Sequence, residues 1–190
     1  KFGVTRNFGR DQLLYASFGR SHREPRRSDF EQGVFTPERL DDFELGWRAH
    51  GQSTKGLAYK YSVVAYYMDY QNQLVLTGAI DNSGAPIRAT SGRSYRAGIE
   101  LEGSMELSKK WGLQSAVAWS QNKNLDFVST FDGALQNLGK TDISFAPSLI
   151  ASGTLVYTPF EGARFSWTTR HVGDQFMSNT ESTVSLLPAY

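Results

Sequence analysis

YRAGIELEGSMELSKKWGLQSAVAW, from Tyr95 to Trp119, is the stretch of sequence that decides the fold. Up to Leu107 the odd positions are mainly apolar, whereas the even positions carry charged or small residues. A period of two is that of a β-strand, because successive side chains of a strand point to opposite faces. Lys109 and Lys110 are predicted to form a turn, after which the alternation resumes in the same phase. The stretch therefore predicts a β-hairpin with one apolar and one polar face.

The two tryptophans of this hairpin fit the thickness of a membrane. Trp111 and Trp119 lie eight residues apart on the apolar face, which corresponds to roughly 26 Å along a strand. A tilt of about 40° reduces this to roughly 20 Å, close to the height of the apolar band of an outer-membrane barrel, whose edges carry aromatic girdles. A soluble sandwich also has one apolar face. The small residues and paired charges of the other face suit a barrel interior and favour the membrane.

Composition excludes several classes of protein. The chain has 190 residues, of which 39% are hydrophobic and 13% aromatic, and it contains no cysteine. Disulfide frameworks and thiolate metal sites are therefore impossible. Lys and Arg number 20 and Asp and Glu number 19, so no net field attracts nucleic acid. The sequence contains no apolar run long enough for a transmembrane helix. Outer-membrane barrels also lack such runs, because half of the residues in each of their strands are polar.

The alternating pattern recurs along the chain between connections of two lengths. Strands are predicted at 1–8, 11–21, 40–50, 57–77, 95–108, 111–119, 145–157 and 163–177, and Pro188 is expected to open another. Short turns at Gly9, Gly51, Lys109 and Pro159 lie between long loops that start at His22, Gly78, Asn122 and Ser178. Bacterial outer-membrane barrels show this asymmetry, with short turns on the periplasmic side. The pattern predicts an all-β, antiparallel up-and-down meander of about eight strands, part of a transmembrane β-barrel.

Several motifs resemble those of one family, the TonB-dependent outer-membrane receptors. Leu14 to Arg20, followed by Arg23-Glu24-Pro25, is similar to a barrel strand and outward loop of these receptors. The later matches, in order, are Pro37 to Leu40 with Phe43 to Gly46, then Tyr66 to Leu74, the Gly-x-Glu-x-Glu strand at Arg96 to Glu102, and Leu187 to Tyr190. The order of these motifs along nearly the whole chain makes the resemblance more specific than any one of them.

The resemblance implies a receptor of about 22 strands whose lumen is filled by an N-terminal plug domain. Residues 1–190 are then expected to be one partial barrel domain, from the C-terminal part of the barrel, without the plug and the final strands. The implied function is import of a scarce nutrient, such as a ferric siderophore, cobalamin or a glycan, across the cell outer membrane. The implied partners are outer-membrane lipid, the nutrient ligand, and the TonB complex acting through the missing plug.

Candidate site residues fall into three groups. Lumen-facing residues are expected to be Glu44, Arg48, Arg96, Glu100, Glu102, Arg164 and Arg170, with Glu100 and Glu102 pairing with Arg96, Arg48 or Arg164. The membrane girdle is expected to comprise Trp47, Trp111, Trp119 and Trp167. Ligand binding is expected from outward loops, through Arg23, Arg26, Arg27, Asp81 and Asn82.

Catalytic chemistry is not predicted. His22, His50 and His171 lie on separate elements without ligand spacing, so neither a metal site nor a cofactor is expected. Neither a Gly-x-Ser-x-Gly elbow nor a phosphate-binding glycine loop occurs. The function expected is therefore not enzymatic, and the resemblance to TonB-dependent receptors implies transport. Two alternatives stay open: a self-contained small outer-membrane barrel for adhesion or structure, and a soluble β-sandwich binding module.

Overall fold

The computed structural model of the protein describes residues 1–31, 33, 35–80, 84, 86–90, 92–131 and 134–190. Strands dominate these residues, as the alternating sequence predicts. The strands are β1 (Phe2–Phe8), β2 (Gln12–Arg23), β3 (Glu38–Gln52), β4 (Ala58–Gln71), β5 (Leu74–Ile80), β6 (Pro86–Thr90), β7 (Arg93–Glu106), β8 (Trp111–Phe131), β9 (Ala134–Asp142), β10 (Leu149–Tyr157), β11 (Phe165–Val172), β12 (Gln175–Phe176) and β13 (Leu186–Leu187). One α-helix, α1 (Arg27–Glu31), follows β2, and a short 3-10 helix (Thr183–Ser185) precedes β13.

The main sheet is an antiparallel meander. Its nine strands run in the order β1-β2-β3-β4-β7-β8-β10-β11, with β9 paired to β8. Each neighbouring pair is antiparallel. This confirms the predicted all-β meander, with one strand more than the expected eight. In the described residues β1 and β11 are the two edges and do not pair with each other, so these strands do not close a small barrel of their own.

The pairing register separates two faces across the sheet. One row of paired residues runs Ala16, Leu45, Ala65, Ile99 and Trp119, and the neighbouring row runs Ser17, Glu44, Tyr66, Gly98 and Ser120. We call the first side the apolar face and the second the polar face. In the central hairpin Leu101 pairs with Val117 and Glu102 with Ala116, which confirms that the alternation keeps its phase through the turn.

The two ends of the sheet differ in their connections. At one end, which we call the short-turn end, successive strands are joined by residues 9–11, 53–57, 107–110 and 158–164. Gly9 takes a positive φ of 68° there, a backbone conformation that glycine adopts without strain. At the opposite end, which we call the long-connection end, lie α1, the paired strands β5 and β6, the end of β8 with the start of β9, and the residues after β11. The predicted alternation of connection lengths is confirmed.

The predicted strand 57–77 and the predicted loop 78–92 are wrong. β4 ends at Gln71, and Asn72 turns the chain with a positive φ of 56°. The amide of Asn72 donates to the carbonyl oxygen of Gly92 at 2.8 Å, which closes the neck of a separate hairpin formed by β5 and β6. Neither Gly nor Pro marks the break at Asn72, so the sequence pattern runs two strands together.

The predicted connection 122–142 is also wrong. β8 continues to Phe131, and β9 returns beside it as far as Asp142. The register shifts between Asn124 and Phe127 and again before Val128. Such irregularities change which side chains face each way, so the period of two is lost although the backbone stays paired.

Smaller differences concern element boundaries. The predicted loop 22–38 contains α1, β10 begins at Leu149 instead of residue 145, and β11 ends at Val172 instead of residue 177. The expected strand start near Pro188 is seen as a single pair: Tyr190 and Val172 exchange both backbone hydrogen bonds, at 2.8 and 3.0 Å. The edge of β11 therefore already has the beginning of a neighbour.

Burial shows that the main sheet is one layer. Among the described hydrophobic residues only Ala49, Phe127 and Val172 are buried, while many large ones are exposed on the apolar face. A β-sandwich would bury such a face against a second sheet. The structure therefore disagrees with the sandwich alternative. None of the described helical segments has the length and hydropathy that a bilayer-crossing helix needs.

Candidate functional site

The apolar face carries all four tryptophans of the chain. Register places Trp119 opposite Ile99 and Leu149, Trp47 opposite Leu14 and Val63, Trp111 opposite Tyr157, and Trp167 opposite Leu155. Their exposed fractions range from 38% for Trp47 to 78% for Trp167. Four exposed indoles on one face of a sheet require an apolar environment outside the protein to cover them.

Aromatic rings border this face at both ends. Towards the long-connection end Phe18 packs against Phe43 at 4.8 Å between ring centroids. Towards the short-turn end Trp111 stacks on Tyr157 at 4.3 Å. The rows between these borders hold the aliphatic side chains Leu45, Val63, Ile99, Leu101, Val117 and Leu155, together with Trp47, Trp119 and Trp167. An apolar band that is rich in aromatic rings and bordered by them resembles the outer surface of an outer-membrane barrel.

The polar face holds the residues that the sequence assigns to a lumen. One row across the sheet contains Arg48, Ser62, Glu102, Ala116, Ser152 and Arg170. Glu44, Arg96 and Glu100 lie on the same face in neighbouring rows, and Ser17 donates to Glu44 at 3.4 Å. Arg164 is different, because it lies in the turn before β11 and not in the sheet.

The expected ion pairs on the polar face are absent from the described residues. The arginines meet aromatic rings instead: Arg48 lies 5.2 Å from the ring centre of Tyr15, and Arg96 lies 4.4 Å from that of Tyr70. A guanidinium over an aromatic face is held by the negative charge of the ring surface. The pairing of Glu100 and Glu102 with arginines is therefore corrected.

Two tyrosines lie over glycines on the polar face. A Cβ added to Gly98 would lie 2.6 Å from the carbonyl oxygen of Trp119 and 2.8 Å from the hydroxyl of Tyr66. A Cβ added to Gly46 would collide with the ring of Tyr15. These glycines let the rings lie flat along the sheet. Sequence reasoning missed the tyrosines, although glycine inside a strand signals close approach of a neighbour.

Two buried polar atoms of this face lack a hydrogen-bond partner. They are Oδ1 of Asp42 and Nη1 of Arg96. Both residues pair with Met68, one from each side, so they lie in a single row near the long-connection end. Buried polar groups are normally satisfied, and unsatisfied ones call for an explanation.

A small polar core lies beyond this row. Ser94 and Asn124 pair across β7 and β8 and are buried. The hydroxyl of Ser94 donates to Oε1 of Gln73 at 2.6 Å, and Nδ2 of Asn124 donates to the hydroxyl of Thr141 at 3.2 Å. These bonds hold the neck of the β5–β6 hairpin and β9 to the main sheet. No motif in the sequence indicates this cluster.

The connections after β9 and β11 are joined at the long-connection end. The amide of Phe145 donates to the carbonyl of Phe176 at 2.8 Å, and that of Ser144 to Oδ1 of Asn179 at 2.7 Å. The amide of Asp142 also donates to Oε1 of Glu181. The long loop predicted to start at Ser178 is therefore anchored to the connection that precedes β10.

Of the residues expected to bind ligand, those that the structure describes lie at the long-connection end, each in a different local setting. Arg23 ends β2 opposite Glu38. Arg26 precedes α1, where its amide donates to Oδ2 of Asp29 at 2.8 Å. Arg27 pairs with Glu31 at 3.2 Å on the exposed side of the helix. Asp81 and Asn82 lie outside the described residues. In the described part of the chain His, Asp and Glu form no group of three that could hold a metal ion.

A row of charges borders the apolar face at the same end. Register aligns Arg20, Asp41, Asp69, Tyr95, Lys123 and Asp142, which we call the charged row. Arg20 binds Asp41 through two hydrogen bonds, at 2.5 and 2.8 Å. These bonds lower the pKa of Asp41 and raise that of Arg20. The hydrogen bond of Arg93 to Asp69, at 2.7 Å, likewise raises the pKa of Arg93.

Comparison with known proteins places this sheet in a family. The family model described as TonB dependent receptor-like, beta-barrel, matches residues 1–190. The siderophore receptor PiuA from Acinetobacter baumannii is similar with a TM-score of 0.74 at 15% identity, over 99% of this chain and 27% of that one. The ferric yersiniabactin uptake receptor FyuA from Yersinia pestis has a TM-score of 0.68 at 13% identity, over 99% and 27%. The copper transporter OprC has a TM-score of 0.69 at 18% identity, over 99% and 29%.

At these identities the structural likeness shows the fold, and the chain spans little more than a quarter of each of these receptors. No curated protein matches the chain. The family consists of outer-membrane transporter receptors and not of enzymes. Since the family model covers every residue of the sheet described above, the chain is an outer-membrane barrel segment that belongs to the TonB-dependent receptor-like β-barrel family.

Proposed function

We propose that the chain forms barrel wall and outward connections of an importer of a scarce nutrient, with a ferric siderophore as the first candidate. Cobalamin and glycans are the other candidates. The observation that carries the proposal is the family match over residues 1–190. The names of the three neighbours support a metal-bearing cargo, since they are a siderophore receptor, a ferric yersiniabactin uptake receptor and a copper transporter.

The two faces receive different roles in this proposal. The apolar face meets lipid, with Trp47, Trp111, Trp119 and Trp167 as its girdle. The polar face lines the lumen, with Glu44, Arg48, Arg96, Glu100, Glu102 and Arg170 turned inward and Arg164 at its periplasmic border. Support comes from the register, which puts these two sets of strand residues on opposite sides of one layer.

The complete receptor is proposed to carry a plug domain in its lumen and to draw energy from the TonB complex. Support comes from the family match, since the matching model is described as TonB dependent receptor-like.

The long-connection end is proposed to face the cell exterior and to capture the ligand. Support comes from the asymmetry of the connections, since outer-membrane barrels carry their long loops outside. Arg26 and Arg27 lie in the connection between β2 and β3, Arg23 ends β2 next to it, and the sequence predicts that Asp81 and Asn82 lie in a loop. Basic groups there would attract an anionic chelate, and charge complementarity raises the rate of association more than the final affinity.

The test is uptake by a strain that lacks its own copy of the receptor gene and receives variants of the full-length gene. Radiolabelled ferric siderophores, cobalamin and oligosaccharides are supplied one at a time. We expect one class to enter through the wild-type receptor, and we expect Arg26→Gln with Arg27→Gln to slow its uptake at low concentration. Lys109→Gln with Lys110→Gln removes the same charge from the short-turn end and should have no effect. Entry of none of these nutrients would disprove the proposal.

A further inference from the structure

The charged row lies on the lipid side of the sheet and not on the lumen side. Arg20 follows Phe18 by two residues on the same face, and its guanidinium lies 6.0 Å from the centre of that ring. Two residues along a strand correspond to about 7 Å. The charged row therefore lies about 7 Å beyond the aromatic border. In the proposed orientation this is the level of the boundary between hydrocarbon and lipid headgroups.

Basic side chains outnumber acidic ones at this level. Arg39 approaches Asp41 at 3.4 Å from the next row, and Lys140 lies 5.7 Å from the centre of the Tyr95 ring. Among the described residues, the basic side chains at this level are Arg20, Arg39, Arg93, Lys123 and Lys140, and the acidic ones are Asp41, Asp69 and Asp142, with Glu181 next to the amide of Asp142. The surface therefore carries net positive charge although the chain as a whole is nearly neutral.

The basic groups also cover two of the carboxylates. The side chain of Arg20 is 50% exposed and that of its partner Asp41 only 10%. Arg93 is 53% exposed and its partner Asp69 only 10%. An approaching headgroup therefore meets guanidinium groups first, held in place from behind by buried carboxylates. Arginine in such a fixed orientation suits phosphate, which it binds through two parallel hydrogen bonds.

We propose that this surface binds the phosphate groups of outer-leaflet lipid headgroups. The inference rests on the proposed orientation, in which the apolar face meets lipid and the long connections lie outside. A row across six neighbouring strands is about 24 Å wide at the usual strand spacing, which is enough for more than one headgroup. A soluble anion on its way through the barrel would meet the polar face and not this surface, because the proposed lumen lies on the polar side of the sheet.

The experiment uses the full-length receptor that contains this chain, purified in detergent. Diphosphoryl lipid A is added, and native mass spectrometry counts the lipids that stay bound. Arg20→Gln with Lys140→Gln should weaken binding on the order of tenfold, because each basic residue near an anionic lipid surface contributes appreciably to attraction. Lys140→Gln alone should weaken it less. This single variant leaves every ion pair described above intact.

The matched control is Lys109→Gln with Lys110→Gln, which removes two charges at the short-turn end and should not change the count. Lipid A without its phosphates should bind weakly to all variants, and millimolar inorganic phosphate should not displace diphosphoryl lipid A. Equal binding of diphosphoryl lipid A by the variant Arg20→Gln with Lys140→Gln and by the control would overturn the proposal. Equal binding of the two forms of lipid A by the wild type would overturn it as well. Displacement by inorganic phosphate would overturn it too, because the site would then be one for a soluble anion.

The nutrient assay distinguishes this inference from the proposed function. Arg20→Gln with Lys140→Gln should leave uptake unchanged, since both residues lie on the outer wall. A receptor that imports none of the nutrients but loses lipid with these variants refutes only the proposed function. A receptor that imports normally and binds lipid A regardless of the variants refutes only the lipid site.

Discussion

At the scale of single residues, the side of the sheet decides what a substitution costs. Leu101 and Glu102 are neighbours in β7 but face opposite ways. Leu101→Arg or Val117→Arg should lower the free energy of unfolding by about 2–4 kcal/mol when the charge lies near the bilayer midplane. Glu102→Gln should lower the free energy of unfolding much less, because the proposed orientation turns the polar face away from hydrocarbon. Urea unfolding of the receptor in lipid vesicles measures both, and equal losses would refute the assigned facing.

Gly98 supplies a second residue-scale prediction. A methyl group there meets the backbone oxygen of Trp119 at 2.6 Å, and a backbone atom in a paired strand moves only if β7 and β8 separate. Gly98→Ala should therefore destabilise the receptor by about 1–3 kcal/mol, the usual cost of overpacking. Gly112→Ala is the control, since its new methyl would find nothing nearer than 3.8 Å. The temperature at which the folded band is lost in unheated SDS gels ranks the two variants. A loss no greater for Gly98→Ala would show that the sheet adjusts there freely.

The third residue-scale prediction concerns pH. Hydrogen bonds from Arg20 lower the pKa of Asp41, which lies beyond Phe43 and outside the apolar band. A carboxyl whose pKa is lower in the folded state stabilises that state above the unfolded pKa, about 3.9, and loses the effect as the pH falls through the folded value. The wild type should therefore be more stable than Asp41→Asn at pH 7, and the difference should shrink below about pH 4. Thermal unfolding across this range tests it, and a constant difference would contradict the role of ionised Asp41.

At the scale of elements, the sequence predicts strands well where pairing is regular. The alternation from Tyr95 to Trp119 gives the right phase because each residue there has one partner across the hairpin. The pattern fails beyond Asn124, where register shifts turn side chains off the period of two while hydrogen bonding continues. It also fails at Asn72, whose positive φ depends on contacts with a distant part of the chain.

The candidate site shows the same division between local and distant information. The girdle and lumen assignments use only alternation, and for the strand residues the register agrees with the faces they require. The partners of the lumen residues were not predictable. Tyr15 and Tyr70 meet Arg48 and Arg96 from neighbouring strands, and the spacing along one strand carries no information about such contacts. The lipid and lumen roles themselves stay predictions until the variants above are measured.

The neck of the β5–β6 hairpin gives an element-scale prediction. Asn tolerates the left-handed conformation of residue 72, whereas a β-branched residue is strained there. Asn72→Val should loosen the neck by about 1–2 kcal/mol, and Asn72→Gly should be close to neutral. Hydrogen exchange of the β5 amides measures the loosening. Equal exchange in both variants would mean that the contacts of Ser94 and Gln73 hold the hairpin without help from Asn72.

At the scale of the whole molecule, the main sheet is a single layer, and its two faces are proposed to meet different surroundings: lipid on the apolar face and the barrel lumen on the polar face. The four tryptophans make this testable, because all of them lie on the apolar face. Full-length receptor is placed in vesicles containing lipids that are brominated either near the headgroup or near the chain ends. Trp→Phe variants at Trp111 and Trp119 isolate these two signals. Both should be quenched more strongly by shallow than by deep bromine, as expected of girdle residues. Quenching by aqueous acrylamide alone would place the indoles away from lipid.

The free edges of β1 and β11 have a consequence for biogenesis. Along each edge of the described sheet a column of backbone amides and carbonyls has no neighbouring strand, apart from the one pair that Tyr190 makes with Val172. Hydrocarbon provides no hydrogen-bond partners for these groups, and each unsatisfied group costs several kcal/mol in the bilayer core. The sheet therefore cannot insert into the bilayer one strand at a time while its edges are unpaired. Entry of these strands into the bilayer has to be coupled to pairing of both edges with neighbouring strands.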